Sequence, residues 1–176
     1  MDYQEGVVDF DDSGVVSRAV RAANAARAAG LLVIHVRVAF RAGYPEVNPH
    51  NRGWVNISSR GMFEDGANSI VDALRPDADD IVVDKRRISA FAGSDLDFVL
   101  RAQHVKDVVL AGVVTSGVVL STVTEAVDRD YGLTVLSDAC ADPDRELHET
   151  LMALFARRGR VLTVDDWVGQ VEAAAA

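Results

Sequence analysis

The sequence is short of cysteine and of basic residues, and each shortage excludes a class of protein. Cys140 is the only cysteine among 176 residues, so no disulfide can form within one chain, and a free thiol suits a reducing compartment. The 18 basic residues face 27 acidic ones and are not clustered, which argues against nucleic-acid binding because phosphate neutralisation needs grouped Lys and Arg. No apolar run reaches the roughly 20 residues of a membrane span, and no basic and apolar leader opens the chain. We therefore predict a cytoplasmic protein without membrane or nucleic-acid partners.

Short apolar runs alternate with longer helical patterns along the chain. The apolar, β-branched runs predict five strands, at residues 31–38, 80–85, 107–112, 133–137 and 160–164. Helical patterns are predicted at 15–29, 67–74, 94–103, 116–129 and 142–158, the last capped by Asp142, with a long loop at 39–66. Because strands that alternate with helices form parallel sheets covered on both faces, we expect a three-layer α-β-α fold with a doubly wound parallel sheet. The length fits one domain, residues 1–176.

Polar or turn-forming residues follow several of these strands, where ligands of such sheets bind. In this order and spacing they resemble the isochorismatase-like (cysteine) hydrolases, which include nicotinamidases, carbamoylsarcosine-type amidohydrolases and isochorismatases. The likeness runs over nearly the whole chain, although residues 39–75 match poorly. The matching pieces are Asp2-x-Gln4, Lys85, Ser89-Ala90-Phe91, Leu110-x-Gly112-x-x-Thr115, Thr122-x-x-x-Ala126, Tyr131-Gly132 and Asp138-Ala139.

The resemblance implies a catalytic Asp, Lys and Cys, and it carries the first two roles to Asp2 and Lys85. The cysteine is expected three residues after Thr115, where this sequence has Val118. An alkyl side chain cannot act as a nucleophile in place of a thiolate. Cys140 follows the next strand along the chain and is interpreted as a buried structural cysteine.

A strand-to-helix turn around Thr115 is the predicted site for a developing negative charge. The resemblance implies a non-proline cis peptide between Val113 and Val114, and amides at a helix N-terminus favour an anion or a carbonyl oxygen.

Three aromatic residues are predicted to line a substrate pocket, since pockets are mostly apolar: Tyr44, Trp54 and Phe91. Trp54 could equally pack the long loop onto the body of the protein. The four histidines lack metal-ligand spacing, and Asn48-x-His50 does not match the Asp-x-His metal site of nicotinamidases. We therefore expect neither a metal nor another cofactor, and a small molecule as substrate.

The resemblance also implies a central first strand before Asp2, where this sequence has only Met1. Either a central strand is lacking or the sequence starts later than the natural protein does. We expect a gap in the sheet at this place, or a strand from a neighbouring molecule. An exposed apolar edge would promote association, and the family commonly assembles, so a homo-oligomer is predicted.

Three functions fit these observations. The first is a hydrolase of the isochorismatase type, in which Asp2 acts as general acid, Lys85 tunes it and water completes the reaction. The second is a pseudoenzyme that keeps the fold for binding or assembly. The third, ranked last, is a thiol amidase. Because no thiolate is expected at position 118, Lys85 would pair with Asp2 alone and lower the pKa of Asp2, which favours the pseudoenzyme.

Overall fold

The computed structural model describes residues 1–10, 14–64 and 67–175. Five strands lie at Ile34–Val38 (β1), Ile81–Lys85 (β2), Asp107–Val113 (β3), Gly132–Ala141 (β4) and Arg160–Leu162 (β5). Six α-helices lie at Val15–Ala28 (α1), Arg52–Ser58 (α2), Leu96–Ala102 (α3), Leu120–Asp128 (α4), Arg145–Phe155 (α5) and Val164–Ala175 (α6). A 3₁₀ turn at Asp72–Leu74 and a π-helical turn at Thr115–Val119 complete the described elements. All five strands predicted from the apolar runs are present.

The strands form two parallel ladders, β2-β1 and β3-β4-β5, which Met1 and Asp2 join. The Met1 ammonium donates to the Ala111 carbonyl (2.8 Å), and the Val113 amide donates to the Met1 carbonyl (3.1 Å). On the other side, the Asp2 amide donates to the Val36 carbonyl (2.9 Å). These two residues therefore lie where the end of a central strand would lie. Along the rest of β1 and β3 no described strand lies between them.

Helices cover both faces of the β3-β4-β5 sheet, and β4 contributes side chains to both faces, with an irregularity in its pairing to β3 between Val135 and Cys140. Leu136 and Ala139 belong to an apolar cluster with residues of α1 and α6. Val135 and Cys140 belong to a second cluster with residues of α4 and α5. The predicted three-layer α/β architecture is thereby confirmed. In the described part of the chain, no helix is both long and apolar enough to cross a bilayer.

Helix α2 lies inside the segment 39–66, which was predicted to be a loop. Asn51 caps this helix by accepting from the Trp54 amide (3.4 Å). Trp54 is buried and packs edge-on against Phe40, with ring centroids 5.4 Å apart. The helix has seven residues, too few for a helical period to be recognised in the sequence. One long-range aromatic contact holds it in place instead.

Two other helix predictions were wrong in their details. Residues 67–74 contain a 3₁₀ turn at Asp72–Leu74 instead of an α-helix, because Ile70 forms an antiparallel β-bridge with Gln4. Helix α5 begins three residues after the predicted cap, and Asp144 caps it by accepting from the Leu147 amide (3.0 Å). Asp142 is used elsewhere, at the turn that follows β3.

Candidate active site

Asp2 and Lys85 form a buried ion pair at the carboxyl end of β2. The Lys85 side chain is 2% exposed, and its Nζ lies 2.8 Å from Oδ2 of Asp2. The same Nζ donates to the carbonyls of Arg87 (3.0 Å) and Ile88 (2.8 Å), so its three protons all have acceptors. Oδ1 of Asp2 is buried and has no hydrogen-bond partner among the described residues. It is therefore the polar atom of the pair that remains available to a ligand.

Burial raises the pKa of Asp2 above its ordinary value of 3.8, and the nearby ammonium of Lys85 only partly opposes this effect. The expected lowering of the Asp2 pKa is therefore wrong. The sequence indicated the positive charge of Lys85 but not the burial of Asp2. Because only 7% of Asp2 is exposed, desolvation disfavours its charged form. An upward shift moves the pKa of Asp2 toward the working pH, where a general acid is most effective.

The turn after β3 contains the non-proline cis peptide between Val113 and Val114 that the resemblance implied. The Ser116 amide donates to Oδ2 of Asp142 (2.7 Å), and the Gly117 amide donates to the Val114 carbonyl (3.1 Å). These two amides are therefore engaged by the protein and are not free to hold an anion. Asp142, which directly follows the carboxyl end of β4, holds this turn in place.

His148 of α5 is a second support of this turn that nothing in the sequence singled out. Its Nδ1 lies 2.8 Å from the hydroxyl oxygen of Thr115, which is fully buried. Burial lowers the pKa of His148, with Asp142 and Glu149 opposing. Thr115, in the turn after β3, and His148, in α5, are 33 residues apart in the sequence, so only the folded chain brings them together.

Val118 and Cys140 are buried in the same apolar cluster, together with Phe155. Met1, the residue before Asp2, packs against this same cluster. Val118 therefore lies on the face of the sheet that Met1 contacts. Cys140 is 5% exposed, and burial raises the pKa of its thiol to about 12. A thiol with such a pKa is protonated almost completely at neutral pH and is not a nucleophile.

An open groove of about 590 Å³ lies at the segment that follows β2, and neither Asp2 nor Lys85 is among its lining residues. Its lining includes Trp54, Arg87, Ile88, Leu120 and Ser121. The groove is connected to the ion pair through the chain itself, because Lys85 bonds to the carbonyls of Arg87 and Ile88. Its volume lies within the roughly 300–1,000 Å³ of small-molecule sites.

Of the three aromatic residues predicted to line a pocket, Tyr44 and Trp54 both pack against Phe40, whereas Phe91 belongs to a different cluster. Trp54 lines the groove, whereas Phe91 is stacked on Tyr131 with ring centroids 5.9 Å apart. Tyr44 packs against Phe40, and its hydroxyl donates to the Met62 carbonyl (2.9 Å). The last two side chains support the loops around the groove. Across the described ranges, no group of three or more His, Cys, Asp or Glu residues is arranged to hold a metal ion.

The fold and the ion pair define the class of protein, and comparison with known families agrees. The isochorismatase domain model matches residues 1–166, and the chain belongs to the isochorismatase family of hydrolases. Over 174 residues it is 33% identical to an uncharacterized isochorismatase family protein, YwoC, of Bacillus subtilis, covering 98% of this chain and 92% of that one. It is 32% identical to the ureidoacrylate amidohydrolase RutB of Methylobacterium radiotolerans, covering 93% of this chain and 68% of that one.

Solved structures show the same fold. A cysteine hydrolase from Pseudomonas syringae pv. phaseolicola superposes with a TM-score of 0.88 at 26% identity, covering 98% of this chain and 90% of that one. The N-carbamoylsarcosine amidase of Thermoplasma acidophilum superposes with a TM-score of 0.69 at 30% identity, covering 86% and 83% of the two chains. The family membership predicted from the strand-end residues is confirmed.

Proposed function

We propose that this protein hydrolyses a small molecule by acid–base catalysis from Asp2, without a cysteine nucleophile. The observation that carries the proposal is the buried Asp2–Lys85 pair, in which Oδ1 of Asp2 has no partner among the described residues. Asp2 donates a proton to the substrate, and Lys85, 2.8 Å away, stabilises the carboxylate that remains. Water then attacks the protonated substrate and returns a proton to Asp2. A vinyl ether of the isochorismate type is a substrate that this chemistry cleaves.

Two observations argue against thiol chemistry. Val118 stands where the resemblance places the nucleophilic cysteine, and it has no ionisable group. Cys140 is buried with a pKa of about 12 and lies in an apolar cluster. The names of RutB and of the carbamoylsarcosine amidase imply cleavage of amide-type bonds, so amides belong in any substrate panel. Thiol-dependent amide hydrolysis remains the least supported of the three functions.

A pseudoenzyme that only binds a ligand is the second candidate, and one observation favours it. Asp2 is 7% exposed, and its free oxygen Oδ1 is closed off from solvent. A substrate would have to displace part of the surrounding loops before it reached this atom. A binding protein that retains the fold would need no such access.

A substrate panel with two variants separates the three functions. The purified protein is assayed with isochorismate, ureidoacrylate, an N-carbamoyl amino acid and simple amides, beside Asp2→Asn and Cys140→Ser. We expect vinyl ether hydrolysis that falls by about 100-fold or more in Asp2→Asn, the usual contribution of a general acid, and that Cys140→Ser leaves unchanged. Amide turnover that disappears in Cys140→Ser would establish thiol chemistry instead. Absence of turnover on the whole panel, in a protein with an unchanged circular dichroism spectrum, would favour the pseudoenzyme.

A further inference from the structure

The guanidinium of Arg87 lines the groove and forms no ion pair with any carboxylate in the described ranges. It donates to the carbonyls of Arg86 (2.5 Å) and Glu46 (2.9 Å), which fix its orientation. Among the residues that the structure describes, no carboxylate lies within 4.0 Å of it to form an ion pair. The other half-buried arginines do have such partners: Arg18, Arg27, Arg37 and Arg86. A partly buried cation that is held in place but not neutralised is ready to receive an anion.

The surroundings of Arg87 limit the shape of that anion. Its guanidinium carbon lies 5.9 Å from the centre of the Trp54 ring, so the charge rests against an aromatic surface. Ile88, which is 50% exposed, and Leu120 add apolar surface to the same groove. A guanidinium beside apolar and aromatic surface suits a carboxylate attached to a flat or apolar body.

The acidic residues of the groove do not cancel this preference. Glu125 accepts from the Ser89 hydroxyl (2.5 Å) and from Arg129 (2.6 Å), so its charge is already compensated. Asp128 is exposed at the last position of α4, where water and salt screen it. Arg87 is the only cationic side chain that lines the groove within the described residues.

We propose that Arg87 and Trp54 form a recognition site for a carboxylate-bearing small molecule with a flat or apolar body. This proposal rests on the proposed function only in that it identifies the ligand as the substrate, which the groove binds by its carboxylate. Two donors of Arg87 are already used by carbonyls, and the remaining N–H groups suffice for a carboxylate. Arg87 and Trp54 are then the residues that determine specificity.

Fluorescence titration tests the site without any turnover. The chain has two tryptophans, so in a Trp167→Phe variant the emission comes from Trp54 alone. Benzoate serves as the probe, and benzamide, which has the same shape without the charge, is the matched ligand. We expect a saturable change in emission with benzoate at millimolar concentration and none with benzamide. If Trp167→Phe fails to fold, calorimetric titration of the unaltered chain with the same two probes replaces it.

Two arginine variants give the decisive comparison. Arg87→Gln should weaken benzoate binding by about tenfold or more, as expected for loss of a charge-assisted hydrogen bond. Arg52→Gln removes the same charge from an exposed position two residues before Trp54 and should bind benzoate as the parent does. Equal binding by the two variants, equal binding of benzamide, or no binding of benzoate would each overturn the proposal. Asp2→Asn should abolish turnover but keep benzoate binding, so failure of the proposed function is distinguishable from failure of this site.

Discussion

Replacing Lys85 by methionine is expected to destabilise the fold by an amount that depends on pH. The substitution keeps the length of the side chain but removes the Nζ that serves Asp2 and two backbone carbonyls. Breaking a buried pair by removing one partner typically costs about 3–5 kcal/mol, because the other charge is left buried and uncompensated. That is a large share of the roughly 5–15 kcal/mol by which a domain is stable.

The pH dependence follows from the direction of the Asp2 pKa. Burial holds this pKa above 3.8, so the folded protein binds the proton more tightly than the unfolded chain does. The contribution of Asp2 to stability is therefore present at low pH and is lost as pH rises from 3.8 through the folded pKa. Without Lys85 the folded pKa rises further. Each unit of that rise adds about 1.4 kcal/mol to the loss at high pH. The damage in Lys85→Met should consequently be smaller at acidic than at alkaline pH.

Urea unfolding of four proteins measures both effects: the parent, Asp2→Asn, Lys85→Met and the double variant. We expect the double variant to lose less free energy of unfolding than the sum of the single losses, by about 1–3 kcal/mol, since neither charge is then left alone. The matched control is Lys106→Met, which removes a lysine that precedes β3. Additive losses, or a loss in Lys85→Met that is the same at acidic and alkaline pH, would refute the assignment of a buried ion pair.

Three further predictions concern other parts of the molecule. Burial alone would raise the pKa of Asp80, but hydrogen bonds led by that of Arg27 lower it from 3.8 to about 2. Asp80 should therefore contribute about 2 kcal/mol to the free energy of unfolding above pH 3.8, and this contribution should be lost as pH falls toward 2. Asp80→Asn should reduce the fall in stability between pH 3.8 and pH 2, and an equal fall in the variant and the parent would contradict the prediction. Val118→Cys should create a thiol whose pKa is lowered by Lys85 and the helical turn, so that iodoacetamide alkylates it near neutral pH, while Cys140, with its pKa of about 12, stays unmodified. A new thiol that titrates at the ordinary ~8.5 or above would mean that burial prevails at position 118, which is 3% exposed, and that Asp2, Lys85 and the turn do not form the predicted site. Light scattering at micromolar concentration should give more than the mass of one chain, because exposed apolar side chains such as Val82 and Val109 of the strands favour association; a clean monomer would count against assembly.

Local patterns in the sequence were sufficient to predict the strands, their parallel arrangement and the place of the site. β-branched runs such as Ile81-Val82-Val83 favour strands, and polar residues at the carboxyl ends of parallel strands meet at one edge of the sheet. Strand-end positions singled out Asp2 and Lys85, and the family resemblance assigned their roles; Nζ of Lys85 lies 2.8 Å from Oδ2 of Asp2. The absence of a thiol at Val118 was likewise visible in the sequence alone.

Tertiary structure decided how these residues behave, because burial and pairing depend on contacts between distant parts of the chain. The direction of the Asp2 pKa depends on desolvation, which no spacing in the sequence reveals. Asp142 resembles a helix cap in the sequence, but the folded chain uses it to hold the Ser116 amide. Nothing in the sequence distinguishes Arg87 from the other arginines, but the fold places it against Trp54, and no ion pair forms to it among the described residues. The sequence determined which chemical groups are present and at which strand ends they lie, and the packing of loops and helices determined which of their charges and donors remain unsatisfied.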